Sequence, residues 1–396
     1  MGFRTSSLLA AVALAAVSGL AGAQTVKVGI ITTYSGPGAG QGDQLDKGFK
    51  LYLKLNADKL PPGVKVEPVF RDDTGANPDA AKRLAQELIA REKVQFLTGV
   101  VWTPNAAAIA PIVSEAKVPF VVANAAGVSV TRASPYIARV SFTLWQSSYP
   151  LGQWAAKKFK RVYTVVSDYA PGHEAEEAFV KGFKEAGGEI VGSARVPMTT
   201  TDFIPYMQRV KDAKPDAIFA FNPAGKQATA QMKAYADLGL NKAGIKYIGP
   251  GDITTDEELQ NMGDAAIDVL TVHHYSAAAD RAANKAFVAA YRKEYGENLN
   301  PGFMAVGAWD AMDAIFYAIR EQNGKIDPDK TMQLIANFKN PNSIRGPIQI
   351  DPETRDVVQN EYLREVRKVG GQLANVELEV VANQYKDPWK AMNKPK

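Results

Sequence analysis

The 396-residue chain contains no cysteine and only three histidines. Without cysteine there is no disulfide, no thiolate nucleophile and no lipidated cysteine at an export cleavage point. The histidines offer little metal chemistry. His273 and His274 adjoin at the end of a strand pattern, where successive side chains point to opposite faces and cannot both face one metal. His173-Glu174 is followed by Glu177 where a zinc-protease helix needs its second histidine. A G-x-S-x-G elbow and a P-loop are also missing. Beyond the first residues, no apolar run reaches the roughly 20 residues that span a bilayer. Charge of one sign is lacking too: the net charge is +4, with basic and acidic residues interspersed, so nothing in it points to nucleic acid or an anionic membrane surface as a partner. These absences leave no support for a catalytic centre, a metal site or a cofactor, and they turn attention to ligand binding.

What is present begins with a leader. Arg4 gives a positive start, Leu8–Val17 an apolar core and Ala21-Gly22-Ala23 a small-residue cleavage site, so residues 1–23 are expected to be an export signal cut after Ala23. A Gram-negative periplasm is the expected compartment. The remaining chain, drawn from a sequence that is 46% hydrophobic and 22% charged, is long enough for two lobes.

The first lobe alternates strand and helix, which predicts a parallel, doubly wound sheet. Val26–Thr32 reads as a strand, Tyr34–Gly42 as a glycine-rich loop, and Leu45, Phe49 and Leu53 as one face of a helix. The loop is not a dinucleotide fingerprint: Asp43 stands where the third glycine should be, and a carboxylate there repels a pyrophosphate. A second strand, Val64–Phe70, precedes Asp72-Asp73, and Asn77-Pro78 opens a second helix. The stretch from Val94 to Gly127 then carries strand, loop, helix, strand and loop. Thr103 is expected as a helix N-cap, with Pro104 in the first turn. Free N–H groups at that helix start and the loop Asn124–Gly127 after the next strand would together make a carboxylate site at the crevice outside the strand ends.

Beyond Ser141 the pattern restarts. Strands are expected at Val162–Ser167, Glu189–Val196, Ala217–Phe221, Ile245–Gly249 and Asp268–Val272, with loops near Tyr169, Asn222 and Gly251-Asp252. Helices over Ala283–Tyr295 and Met304–Gln322 follow. Strands Gly346–Asp351, Glu361–Val369 and Val376–Val381 come next, the last two a hairpin through Gly370-Gly371, before a lysine-rich tail, Lys386–Lys396.

The leader, the V-x-V-G-I-I-T-x-x-S-G-P segment, Asp72-Asp73-x-x-x-x-Pro78 before an amphipathic helix, and the Pro119-x-x-x-x-Asn124 strand exit occur in an order that resembles the solute-binding proteins of branched-chain amino acid ABC importers. The resemblance spans essentially the whole mature chain. It implies an α/β fold of the type I periplasmic binding class, with two Rossmann-like, doubly wound lobes joined by three crossings, near Ser141–Thr143, Tyr275–Ser276 and Asp351–Pro352. Residues 24–142 with 277–351 would form the N-terminal lobe, and 143–276 with 352–396 the C-terminal lobe. The lobes would close on a small carboxylate and dock, as a monomer, on an ABC permease complex in the inner membrane.

By position, the resemblance assigns the ligand carboxylate to Thr103, Ala125 and Ala126. Gln41 joins from the first loop, and Tyr169, Asn222, Gly251 and Asp252 from the second lobe. Trp102, Phe142, Trp145, Tyr169 and Tyr275 fall at predicted loop or hinge positions. Leucine-type binders place a hydroxyl at Ala126 and a glutamate at Gly251, so two usual partners of a ligand ammonium are missing here. An unpaired buried ammonium is costly, which favours an aromatic or other non-amino carboxylate over leucine, isoleucine or valine unless Asp252 faces the cleft. A ligand-sensing receptor on the same fold and an exported α/β enzyme are the competing functions.

Overall fold

A computed structural model describes residues 24–36 and 38–394. The expected leader lies outside the described residues. The first sheet consists of β1 (Gln24–Thr32), β2 (Val64–Asp72), β3 (Phe96–Gly99), β4 (Phe120–Val122) and β5 (Ile137–Arg139), all parallel, in the order β2-β1-β3-β4-β5. Its helices are α1 (Ala39–Asn56), α2 (Pro78–Ala90) and α3 (Thr103–Ala116). Local chemistry sets their starts: the Asn77 side chain accepts from Ala80 N and Pro78 occupies the first turn of α2, where its missing N–H costs nothing. β5 is too short to announce itself by periodicity, and α1 begins at Ala39, so the glycine loop is shorter than the sequence suggested.

The second half runs through α4 (Leu144–Ala155), β6 (Arg161–Ser167), α5 (Ala170–Glu185), β7 (Glu189–Val196), α6 (Ile204–Ala213), β8 (Ala217–Phe221), α7 (Lys226–Asp237), β9 (Lys246–Pro250), α8 (Leu259–Met262) and β10 (Leu270–His273). Then come α9 (Ala282–Tyr295), α10 (Phe303–Glu321), α11 (Pro328–Ala336), β11 (Lys339–Asn340), β12 (Ile348–Ile350), β13 (Val357–Val369), β14 (Gln372–Tyr385) and α12 (Pro388–Met392). The second sheet is parallel from β7 through β6, β8 and β9 to β10, and continues antiparallel into β13 and β14. Gly370 and Gly371, with φ of 58° and 84°, make the tight turn of the last hairpin.

Although late in sequence, α10 packs on α1 and against β3 and β4, and α11 contacts β5. Segments 140–143 and 274–281 carry the chain between elements packed on the two sheets, whereas 351–356 joins β12 to β13, which pair antiparallel within the second sheet. Thr143 begins α4 with a complete capping box to Gln146. Arg345, fully buried, ties the first of these connections to α10 and β13: its guanidinium donates to Val140 O, Ser141 O and Gln359 Oε1 and pairs with Asp310. In each sheet one strand has neighbours that lead away on both sides, β1 between β2 and β3, and β6 between β7 and β8. Loops diverging from such points open a crevice at the carboxyl ends of the strands, and here the two crevices face each other.

Candidate functional site

A cleft of about 380 Å³ of empty space lies between the sheets. On one side it is lined by Gln41, Trp102, Thr103, Asn124, Ala126, Phe142 and Met304, and on the other by Tyr169, Phe221, Pro223, Ala224 and Asp252.

On the first side, Thr103 is the opening residue of α3 and Trp102 its N-cap, which corrects the expected register by one residue. The reason is that the Thr103 hydroxyl does not cap the helix: it accepts from Gly127 N at 3.1 Å. Gly127 is needed for that approach, since a Cβ there would meet Thr103 Cγ2 at 2.5 Å. The hydroxyl's own proton has no acceptor among the described residues. Trp102 is anchored through Nε1 to Thr33 Oγ1 at 3.1 Å, which sets its indole as a wall. Asn124 donates to Val101 O and leaves its carbonyl oxygen without a partner. Gln41 reaches across the cleft, donating to Ala224 O at 2.5 Å. A second bond across the cleft runs from Val128 N to Glu174 Oε2 at 3.0 Å. Burial pushes the Glu174 carboxyl up to about 7.

On the second side, Tyr169 stacks on Phe221, with centroids 6.2 Å apart and planes at 15°. Its hydroxyl is held above the ordinary range, mainly by burial and further by the Asp252 charge. Asp252 follows β9 in a short helical turn, and its Oδ2 is buried without a partner. Burial pushes its carboxyl up to about 7, against the opposing pull of Arg364. Gly251 cannot carry a side chain here: a Cβ would meet the His273 ring at 2.3 Å and Arg364 Nη2 at 2.5 Å. Beneath the cleft, His273 and His274 have ring centroids 4.1 Å apart, and Phe142 lies 5.0 and 5.1 Å from them. The expectation that the two rings diverge fails because β10 ends at His273, so strand alternation no longer governs His274. Burial holds both well below the usual histidine range. Among the described residues, no group of side chains could hold a metal ion.

The cleft therefore brings together Gln41, Trp102, Thr103, Ala126, Phe142, Tyr169 and Asp252. Three residues singled out from sequence face elsewhere. Ala125 is packed in the core beside β4, Asn222 accepts from Ser167 Oγ at 2.6 Å and donates to Gln231 at 2.5 Å, and Gly251 supplies only backbone. Of the five aromatics, Trp145 stacks on Tyr149, and Tyr275 is fully buried. Sequence reasoning missed Phe221, the last residue of β8, and Met304, in the first turn of α10. The strand pattern ending at Phe221 could have found the first, whereas Met304 carries no local signal.

Such a fold, with hydrogen-bond donors at strand ends on one side and an unpartnered carboxyl on the other, defines a two-lobed ligand-binding protein. Residues 25–372 match the family described as periplasmic binding protein. A curated relative, Leu/Ile/Val-binding protein homolog 6 of Brucella melitensis biotype 1, is 43% identical over 364 residues, covering 91% of this chain and 93% of the relative. The fold is similar to that of an ABC transporter solute-binding protein of Rhodopseudomonas palustris BisB5 in complex with 3,4-dihydroxybenzoic acid: identity 49%, TM-score 0.89, coverage 93% of this chain and 99% of that one. A solute-binding protein of R. palustris in complex with 4-hydroxybenzoate gives 43%, 0.88, 93% and 100%. A leucine-binding protein from Thermotoga maritima gives 26%, 0.77, 90% and 98%. The chain belongs to the periplasmic binding protein family. It is a solute-binding protein and not an enzyme, and the family implies export to the periplasm.

Proposed function

We propose that this protein captures a hydroxylated aromatic carboxylate, of the 4-hydroxybenzoate or 3,4-dihydroxybenzoate type, and hands it to an ABC permease in the inner membrane. The carboxylate docks on the Thr103 hydroxyl and the Ala126 N–H, the ring lies against Trp102, Phe142, Tyr169 and Phe221, and a ring hydroxyl donates to Asp252. The observation that carries this reading is the buried, unpartnered Oδ2 of Asp252 in a cleft walled by aromatic rings and proline, on the side opposite Thr103 and Ala126. An acceptor buried without a donor is costly until a ligand supplies one. The two solved relatives with hydroxybenzoates are also nearer in sequence than the leucine binder.

Residues 24–142 with 277–351 act as one lobe and 143–276 with 352–396 as the other. The leader is cut after Ala23, and the mature protein works as a monomer. A thermal-shift panel of 4-hydroxybenzoate, 3,4-dihydroxybenzoate, benzoate, leucine, isoleucine and valine tests the ligand. A ligand at a hundredfold excess over its Kd stabilises by about 2.7 kcal/mol, so the hydroxybenzoates should give the largest shifts. A shift with a branched-chain amino acid and none with any aromatic acid would overturn the assignment and make Asp252 an ammonium partner.

A further inference from the structure

Arg139, the last residue of β5, is fully buried. Its Nη1 donates to Ala125 O at 2.8 Å and to Gly127 O at 2.7 Å, the carbonyls on either side of Ala126. In a planar trans peptide the C=O and the next N–H point in opposite directions. Holding Ala125 O against the guanidinium therefore turns the Ala126 N–H away from it, and holding Gly127 O turns the Val128 N–H towards Glu174. The neighbouring donors of this loop are occupied: Ala125 N bonds Val100 O at 3.3 Å, and Gly127 N bonds Thr103 Oγ1. The Ala126 N–H has no acceptor among the described residues, and Ala126 lines the cleft.

Arg139 is itself fixed by groups distant in sequence. Asp356, in the turn that joins β12 to β13, bridges to β5: it accepts from Arg139 Nε at 3.0 Å and lies 2.8 Å from Nη2. Its other oxygen pairs with Lys390, whose side chain is 2% exposed. Lys390 also donates to Thr131. It is carried by α12, which Asp387 caps and which Arg132 grips from outside, its guanidinium 4.7 Å from the Trp389 ring centre. The tail that reads as a solvated lysine-rich end thus places one lysine in the interior.

We propose that Arg139 is the positioning residue of the carboxylate site, aiming the Ala126 N–H into the cleft, and that Asp356 and Lys390 make the C-terminal helix part of that machinery. The proposal rests on the carboxylate reading above. A planar guanidinium can bond two carbonyls and a carboxylate at once, whereas an ammonium offers three donors from a single atom and no fork. Calorimetry on the full mature chain, comparing 4-hydroxybenzoate with the uncharged 4-hydroxybenzamide, provides the test. Arg139→Lys should weaken the acid roughly tenfold or more, as expected for losing an aligned hydrogen bond to a charged group, and the amide less than about twofold. Lys390→Met should act in the same direction by about threefold. If Arg139→Lys does not fold, Lys390→Met decides. Equal weakening of acid and amide, or no weakening, overturns the positioning role. A wild-type chain with no preference for the acid overturns the carboxylate reading itself, and this proposal with it.

Discussion

The two walls of the cleft are built in different ways. The first presents donors at two chain reversals: the start of α3 carries the Thr103 hydroxyl, and the loop after β4 carries the Ala126 N–H. The second presents a side chain, Asp252, whose direction depends on a short helical turn wedged against His273 and Arg364. Under the proposed function, a wall of donors placed by a helix start and a loop would recognise a chemical class, here carboxylates. A wall made of side chains selects a member of that class, because a single substitution changes what it can pair with.

The largest test of that contrast is Asp252→Ala. Removing a charge-assisted acceptor for a ring hydroxyl should weaken 4-hydroxybenzoate by about 2–3 kcal/mol while leaving benzoate nearly unchanged, measured by calorimetry. Thr103→Val should weaken both acids alike by about 1–2 kcal/mol, since it removes a donor that only the shared carboxylate uses. Should Thr103→Val spare benzoate, the division of labour between the walls is wrong.

A third effect is one of pH and concerns the bond between the walls. Glu174 is held in the fold above its ordinary carboxyl range, up to about 7. Its acid form is thus the one the fold favours, and the stability it contributes is fully present below the unfolded value near 4.5 and lost as pH rises through about 7. Glu174→Gln keeps an acceptor for Val128 N and cannot ionise. The variant's melting temperature should fall less than the wild type's between those pH values, with the other buried carboxyls still contributing their share.

Much of the first wall could be read from sequence because it rests on punctuation. Pro104 marks a helix start, and short apolar runs ending in glycine or asparagine mark buried strands. The one-residue error at Thr103 arose because its hydroxyl is taken by Gly127, a contact made across 24 positions. The second wall was legible only as a set of loops. Whether Asp252 turns inward is decided by how tightly Gly251 fits against two buried side chains, and no local pattern encodes that. Arg139 and Lys390 were invisible for another reason. A single basic residue carries no periodic signal of its own, and only the fold shows that each has Asp356 within reach. Met304 reaches the cleft because α10, distant in sequence, returns to the first sheet.

The bond from Val128 to Glu174 joins one wall to the other through two residues that do not line the cleft. Under the proposed function it would bias the balance between open and closed lobes by the same amount whichever acid is present. Apparent affinity scales with the fraction of molecules in the binding-competent arrangement, so adjusting that bond would multiply every ligand's affinity by one common factor. Grip and choice are thereby separable. Lineages or designers can reset the concentration range over which the carrier fills by changing residues at the cleft rim, without altering which acid it prefers.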